Sequence, residues 1–417
     1  METKVATETQ PTMLALALYK FGKPDTYNIA TIPIPKITDQ NDVLIKVEAA
    51  SVNPIDVKMA SGFAKMMFDV KFPYLMGYDV SGTVVSVGSS VTHVKLGDEV
   101  YSRVPERHRG TIGKHVSNSS SHSVHEFVNP KIRCPYPPPR TLKLPKDAMS
   151  IIDFLFQAQY CLSTCSAVAH KPSSLSHSEA AAVPLAALTA YQSALRADSQ
   201  LPGGLKGKTV LIPAGMSGTG SIAVQLAKNV FGAERVITTL STGKIGRAEE
   251  LFGKGIKVVD YTKEDVVKMI GNGSVDFLFD TTSCALSLGP LVKKGGVIVS
   301  ISMVPGGTAT IERMIRHIDG VSDGGAEVTL SWWIAKIMDF LDWSLRKWAS
   351  WNGRTYSYLM MEPSRKDLDK LTGWIKEGIL TPIIGSEVKL EDIVGVRKGC
   401  QEVFTGKGGM GKFVITP

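Results

Sequence analysis

The stretch "PAGMSGTGSIAVQLAK", residues 213–228, follows the apolar run "KTVLI" and leads into residues with helical spacing. Strand, glycine-rich turn and helix in that order make a place for an anion. Glycine is needed where φ must be positive or where the backbone must come close to a pyrophosphate, and Gly215, Gly218 and Gly220 meet that need. The helix expected from Ser221 points its amide dipoles at the same spot. The spacing departs from a strict G-x-G-x-x-G, and glycine-rich turns between strand and helix are common, so the loop alone is a weak signal. Its context strengthens it, because "RVITTL" supplies a second strand at the expected distance.

The end of that second strand indicates which nucleotide fits. Folds that prefer NAD place Asp or Glu there to bind the ribose 2′-hydroxyl, and such a carboxylate repels a 2′-phosphate. Here the strand runs into "STGK": Ser241 and Thr242 offer hydroxyls, Lys244 a point charge, and no carboxylate follows until Glu249. NADPH is therefore the expected cofactor. The plainer alternative makes Lys244 a solvated turn residue.

Outward from the loop, "RAEELFGKG" reads as helix and "VVDY", "DFLFDTT" and "GGVIVSIS" as strands; a chain alternating in this way builds a parallel sheet covered on both faces. Later, "TYSYLMM" offers another strand and "RKDLDKLTGWIKEGI" a helix. From Leu14 the pattern differs. Short β-branched runs such as "DVLIKVEAASVNP" and "DVSGTVVSVGSSVTHVKLGDEVYSRV" are punctuated by Gly, Asn and Pro, as in a compact antiparallel barrel-like domain. The chain ends in a strand, "GKFVITP". The expected class is α/β, with a β-rich domain beside a doubly wound parallel sheet.

A length of 417 residues with 43% hydrophobic and 21% charged residues allows two or three folded domains and argues against disorder. The net charge of +8 comes from scattered Lys and Arg without a basic block, which disfavours a nucleic-acid groove and suits small anionic ligands. Five cysteines (Cys134, Cys161, Cys165, Cys284 and Cys400), with no C-x-x-C pair, suit a reducing compartment. The opening "METKVATETQPT" lacks the apolar core of a secretory signal, so a cytoplasmic location is expected. "LSWWIAKIMDFLDWSLRKWASW" is interrupted by Lys336, Asp339, Asp342, Arg346 and Lys347 and reads as an amphipathic helix, so no membrane partner is expected.

Five motifs in order now carry a resemblance: "ASVNPIDVKMASG" (50–62), "PYLMGYDVSGTVVSVG" (73–88), "KLGDEVY" (95–101), "EAAAVPLAALTAYQSAL" (179–195) and the glycine loop. Together they resemble the medium-chain dehydrogenase/reductase superfamily, more closely its zinc-free quinone oxidoreductase and enoyl reductase branch. "RVPERHRGT" and "GKGGMGKFVI" are similar to fungal trans-acting enoyl reductases of polyketide pathways. The resemblance implies a GroES-like catalytic domain in two pieces, 13–185 and 363–417, around a Rossmann NADPH-binding domain at 186–362. It implies Asn53, with Pro54 and Asp56, near the nicotinamide and its ribose, and the backbone of Ser217, Gly218, Thr219 and Gly220 on the pyrophosphate. Tyr261 would join Ser241, Thr242 and Lys244 at the adenosine end, and Ser302 would approach the nicotinamide. Lys412 would reach the phosphates from the other domain, unless it is solvated like most terminal lysines. Lys58 falls where some relatives carry a tyrosine near the reacting carbon; it is either a proton donor or phosphate contact, or a surface lysine on a short helix. Tyr78 is the second catalytic candidate, lining the substrate cleft, against a packing role.

Relatives with catalytic zinc share a Cys after the first barrel strands and a His in Gly-His-Glu. This chain has "NPID" and "GYD" at those places, which supply neither thiolate nor imidazole, so no metal is expected. His122 and His125, as H-x-x-H in a Ser-rich stretch, read as loop residues.

One block breaks the pattern. Relatives run from "RGT" almost directly into "AEY", whereas here residues 113–157 intervene, Ser-rich and then Pro-rich without a sustained period. Either this is a docking loop built on "PYPPPR", or it is translated from a retained intron; the second is preferred because deletion restores the family's continuity.

Without a Lewis acid, an alkene conjugated to a carbonyl, or a quinone, is easier to reduce than a plain ketone. The expected function is therefore NADPH-dependent reduction of an enone or enoyl group, on a small molecule or on an acyl-carrier-bound chain from a polyketide synthase. Alternatives are a quinone oxidoreductase and, in another class, a non-catalytic NADPH-binding protein. Trp332, Trp333, Trp343 and Trp348 would roof an apolar pocket or serve core or subunit packing, and assembly as monomer or homodimer is open.

Overall fold

The computed structural model describes residues 11–63, 65, 72–115, 159–253, 255–302, 308, 332–406 and 409–417. The amino-terminal strands are β1 (Thr12–Leu18), β2 (Asn28–Pro33), β3 (Asp42–Val52), β4 (Tyr74–Leu75), β5 (Asp79–Val87), β6 (Glu99–Arg103), β7 (Gly113–His115), β8 (Gln159–Thr164) and β9 (Val168–His170). They pair with one another antiparallel. β3 is the hub, joined to both β5 and β8, and its Val43, Ile45, Val47 and Ala49 alternate into the core as a sheet with one covered face requires.

Helices His177–Ala181 and Pro184–Gln200 lead into a second sheet: β10 (Thr209–Pro213), β11 (Arg235–Leu240), β12 (Ile256–Asp260), β13 (Val275–Asp280), β14 (Val292–Ser300) and β15 (Thr355–Tyr358). All pairings are parallel, in the order β12-β11-β10-β13-β14-β15. This is the doubly wound order, and its reversal beside β10 opens a crevice at the carboxyl ends of the strands. Val210 and Ile212 enter the core on one face and Leu211 that on the other, so the apolar run "VLI" is buried from both sides. The α/β class expected from the sequence is the observed one.

The chain then returns through the helix Arg365–Lys376, β16 (Ile384–Lys389), the helix Ile393–Thr405 and β17 (Lys412–Thr416). β17 pairs antiparallel with β3, so the last strand enters the sheet begun near the amino terminus. Both ends of the chain therefore build the barrel-like domain.

The segment Trp332–Trp351 is helical, yet Trp332, Trp333 and Trp343 are exposed rather than core; only Trp348 of the four packs inward, over Gly289, where a Cβ would meet its ring. Within the expected insertion, Gly113–His115 pairs with β1, while residues 116–158, including His122, His125 and "PYPPPR", lie outside the described residues. No helix among the described residues is long and apolar enough to cross a membrane.

β17 is held from behind by the helix Ile393–Thr405. The Phe413 ring lies directly on Gly399, where an added Cβ would fall on ring atoms. Gly399→Ala is expected to cost about 1–3 kcal/mol, the usual penalty of overpacking. Thermal unfolding should show a lowered midpoint, and an unchanged one would mean that the ring shifts without cost.

Candidate active site

After β10 the chain turns through Ala214, whose φ of 53° is rare for a residue with a side chain. The Gly215 amide donates to Thr238 Oγ1 at 2.9 Å, and that hydroxyl donates to the Ile212 carbonyl at 2.7 Å, so a threonine of β11 pins the turn. Ser217 Oγ accepts from the Gly220 amide at 3.0 Å and caps the helix Gly218–Gln225, which opens three residues before the expected Ser221. Side chains are excluded along this loop: a Cβ on Gly215 would meet Thr238, one on Gly220 the Ala214 carbonyl, and one on Gly218 the Lys412 stem. Helix geometry leaves the Gly218 and Thr219 amides without intrahelical acceptors. The open backbone and outward amides fit a dinucleotide pyrophosphate.

Beyond β11, Ser241 leads into the turn Thr242–Lys244, and Lys244 Nζ donates to the Gly409 carbonyl at 3.3 Å. Tyr261 is 57% exposed beside this turn, its amide donating to the Leu240 carbonyl at 3.1 Å. The sequence reading missed one group here. Strand register pairs Leu240 with Asp260 and brings that carboxylate to Thr242, whose hydroxyl donates to Oδ2 at 2.5 Å. Hydrogen bonds from Thr242 and Thr262 hold the Asp260 carboxyl below the usual range. The signal was the Asp of "VVDY", counted into register with the end of the preceding strand.

Between the domains lies a buried polar knot. Lys412, at the start of β17, lays its stem against Gly218 and donates from Nζ to Asn53 Oδ1 and, at 3.4 Å, to Asp79 Oδ2. Asp79 also accepts from Asn53 Nδ2 at 2.9 Å, Ser51 Oγ at 3.2 Å and the Leu185 amide at 2.9 Å. Lys412, Asn53 and Asp79 are all buried, and desolvation lowers the Lys412 pKa against the opposing pull of Asp79 and Asp56. Lys412 is therefore no solvated tail residue. Alongside, the Gly411 amide donates to the Met216 carbonyl at 2.8 Å, and Gly411 bridges Ser217.

Asn53 caps the helix Pro54–Ala60, and Asp56 Oδ2 accepts the Asn53 amide at 2.6 Å. Asp56 was expected to touch the nucleotide; it is instead wholly buried beneath Asn53, and burial pushes its carboxyl up to about 7. Pro54 is exposed at the first helical position, where its missing N–H costs nothing. Lys58 is exposed on the same helix.

Of its two readings, Tyr78 takes the packing one. It is fully buried in the barrel core, its hydroxyl donates to Glu106 Oε2 at 2.6 Å, and the Arg103 guanidinium lies 4.7 Å from its ring centroid. Both the ring and the hydroxyl are already engaged, so it packs rather than lines a cleft. Ser302, just past β14, accepts the Ser283 amide on Oγ at 2.6 Å and shares the carboxyl edge of the sheet with the glycine loop. Among the described residues, no three His, Cys, Asp or Glu side chains converge as a metal site.

The fold sets a Rossmann-type parallel sheet against a GroES-like barrel. Residues 39–121 match the alcohol dehydrogenase GroES-like domain and residues 255–396 the zinc-binding dehydrogenase family. The chain is 33% identical over 302 residues to 2-methylene-furan-3-one reductase of Solanum lycopersicum, covering 72% of this chain and 65% of that protein. It is 31% identical over 291 residues to the chloroplastic NADPH-dependent alkenal/one oxidoreductase of Arabidopsis thaliana, covering 70% and 62%. The chain thus spans a little under two thirds of the length of these two curated relatives. The solved quinone oxidoreductase from Coxiella burnetii superimposes with a TM-score of 0.66 at 26% identity, covering 97% of this chain and 99% of that one. This chain belongs to the medium-chain dehydrogenase/reductase superfamily, in its zinc-free branch.

Two outcomes test the knot. Lys412→Met keeps the stem over Gly218 but strips Asp79 of its counter-ion, which is expected to cost about 3–5 kcal/mol, much of it restored when Asp79→Asn is added. Denaturation midpoints measure both, and equal midpoints for the single and double variants would dissolve the pair. For Asp56 the folded pKa lies above the unfolded one, so its stabilisation is complete below the ordinary value of 3.8 and is lost as pH rises through about 7. Asp56→Asn keeps an acceptor for the Asn53 amide and should flatten the urea midpoint across that window; a slope as steep as in the wild type would assign the titration to another group.

Proposed function

We propose that this chain is an NADPH-dependent oxidoreductase that reduces an activated C=C bond, in an enone, alkenal or enoyl group, by hydride transfer without zinc. The observation that carries the reading is the end of β11, where Ser241, Thr242 and Lys244 stand beside a glycine cradle and the neighbouring carboxylate, Asp260, is engaged by Thr242 and Thr262. Bound NADPH supplies the hydride; the protein binds, orients and manages charge. The Gly218 and Thr219 amides hold the pyrophosphate, Ser241 and Lys244 the 2′-phosphate beside Tyr261, and Asn53 and Ser302 orient the nicotinamide. The Lys412 ammonium stands buried beside Asn53 as a fixed positive charge, favourable where negative charge collects on a carbonyl oxygen. With the Tyr78 hydroxyl occupied, Lys58 is the remaining candidate proton donor.

The named activities of the tomato and Arabidopsis relatives support an activated alkene as substrate. A quinone is the second reading, favoured by the likeness to the Coxiella burnetii quinone oxidoreductase. A carrier-bound chain delivered by a polyketide synthase is the finer version of the first and rests on "RVPERHRGT" and "GKGGMGKFVI" alone.

Purified protein mixed with NADPH and a panel of enones, alkenals, quinones and acyl thioesters should consume the reduced nicotinamide with an activated alkene. Binding without consumption across the panel would favour a non-catalytic holder of the nucleotide. Lys244→Ala should weaken NADPH by about tenfold, the worth of one charge-assisted hydrogen bond, and NADH far less. Equal losses for the two would remove the phosphate reading.

A further inference from the structure

Four oxygens from three side chains meet at the carboxyl end of β12. Thr242 Oγ1 lies 2.5 Å from Asp260 Oδ2, Thr262 Oγ1 lies 2.6 Å from Asp260 Oδ1, and the two threonine hydroxyls are 3.0 Å apart. Each hydroxyl carries a single proton. While Asp260 is ionised, three contacts must therefore share two protons. The backbone supplies no proton to the gap between the hydroxyls: the Thr262 amide donates to Asp260 Oδ1 at 3.0 Å, and the Asp260 amide to Glu264 Oε2 at 2.9 Å. With both protons drawn to the carboxylate, the two hydroxyls face each other through lone pairs. Both threonines are exposed, so this pair of acceptors opens to solvent. A hydroxyl with a proton to give completes such a site; an oxyanion is repelled by it.

The cluster adjoins the turn that holds Lys244, so two opposite preferences sit at one end of the crevice. Lys244 favours a phosphate, although its ammonium is drawn toward the Gly409 carbonyl at 3.3 Å. The acceptor pair favours an unphosphorylated ribose. We propose that Asp260, acting through Thr242 and Thr262, reads the 2′-hydroxyl of NADH, so that this site takes NADH as well as NADPH and Asp260 sets their ratio. The inference rests on the glycine loop being the nucleotide site. Asp260 is here a positioning residue, since it directs two protons and touches no ligand itself.

In Asp260→Asn one side of the group becomes an amide donor, which turns one threonine proton outward. Titration of protein fluorescence with each reduced dinucleotide should show the wild type binding both. The variant should shift the ratio of affinities about tenfold toward NADPH, with NADH weakened, as expected for one hydrogen bond to a charged group. Thr262→Val removes a single hydroxyl at nearly constant shape and should weaken NADH by several-fold with NADPH held or improved; it decides the matter if the asparagine variant does not fold. Wild type that binds NADPH but not NADH overturns the inference and leaves the nucleotide site standing, as does an equal loss of both nucleotides in the variants. Wild type that binds neither overturns the reading of the loop as well.

Discussion

The geometry of this molecule turns on one buried ammonium. Taking a lysine head group out of water is costly unless it is paired and its donors are satisfied, and Lys412 finds its partners only when β17 lies beside β3, with Asn53 and Asp79 facing it. That requirement is structural in both directions. Asp79 would be an uncompensated buried carboxylate without it, and the Lys412 stem covers Gly218 in the other domain. The relative placement of the glycine loop and the helix Pro54–Ala60 therefore follows from an electrostatic constraint rather than from apolar contact alone. The "NPID" and "GYD" motifs of this chain present an amide, from Asn53, and a carboxylate, from Asp79, to a lysine.

Two buried carboxyls lie near that single cation, and they divide the work. One ammonium neutralises one charge. Asp79 accepts from Lys412, Asn53, Ser51 and the Leu185 amide, whereas Asp56 accepts the Asn53 amide on Oδ2 and leaves Oδ1 without a partner in the structure. Burial and the charge of Asp79 both push Asp56 toward its protonated form. Asp56 thus keeps its proton close to neutrality, while Asp79 gathers the donors.

The sequence made local features legible and long-range ones opaque. Period-2 runs and glycine turns exposed the strands of both sheets, because strand faces and turn conformations are written in neighbouring residues. Gly215, Gly218 and Gly220 were readable for the same reason. Asp79 and Asp260 were not, since their importance appears only once β5 is laid against β3 and β12 against β11. Sequence left Tyr78 between cleft and packing because nothing near it announces Glu106, which arrives from beyond β6 to take its hydroxyl. The resemblance sets Asp56 with Asn53 near the nicotinamide, and the sequence alone does not tell a carboxylate that faces outward from one that caps the helix from below. The Trp-rich helix shows the converse: its period is plain, but period alone does not say how much of an aromatic face finds a partner.

The segment 409–412 gives the crevice a further property. Along four residues it makes three grips: the Gly409 carbonyl on Lys244, the Gly411 amide on the Met216 carbonyl, and the Lys412 ammonium on Asn53 and Asp79. The first lies at the end of β11 and the last at the helix that carries Asn53, so one short piece of backbone touches both ends of the same cleft. The outer grip is an exposed hydrogen bond that an anion beside Lys244 can compete away, worth little on its own. The inner grip is a buried ion pair, which resists displacement. The 409–412 segment is thus held by an exposed hydrogen bond at one end and a buried ion pair at the other.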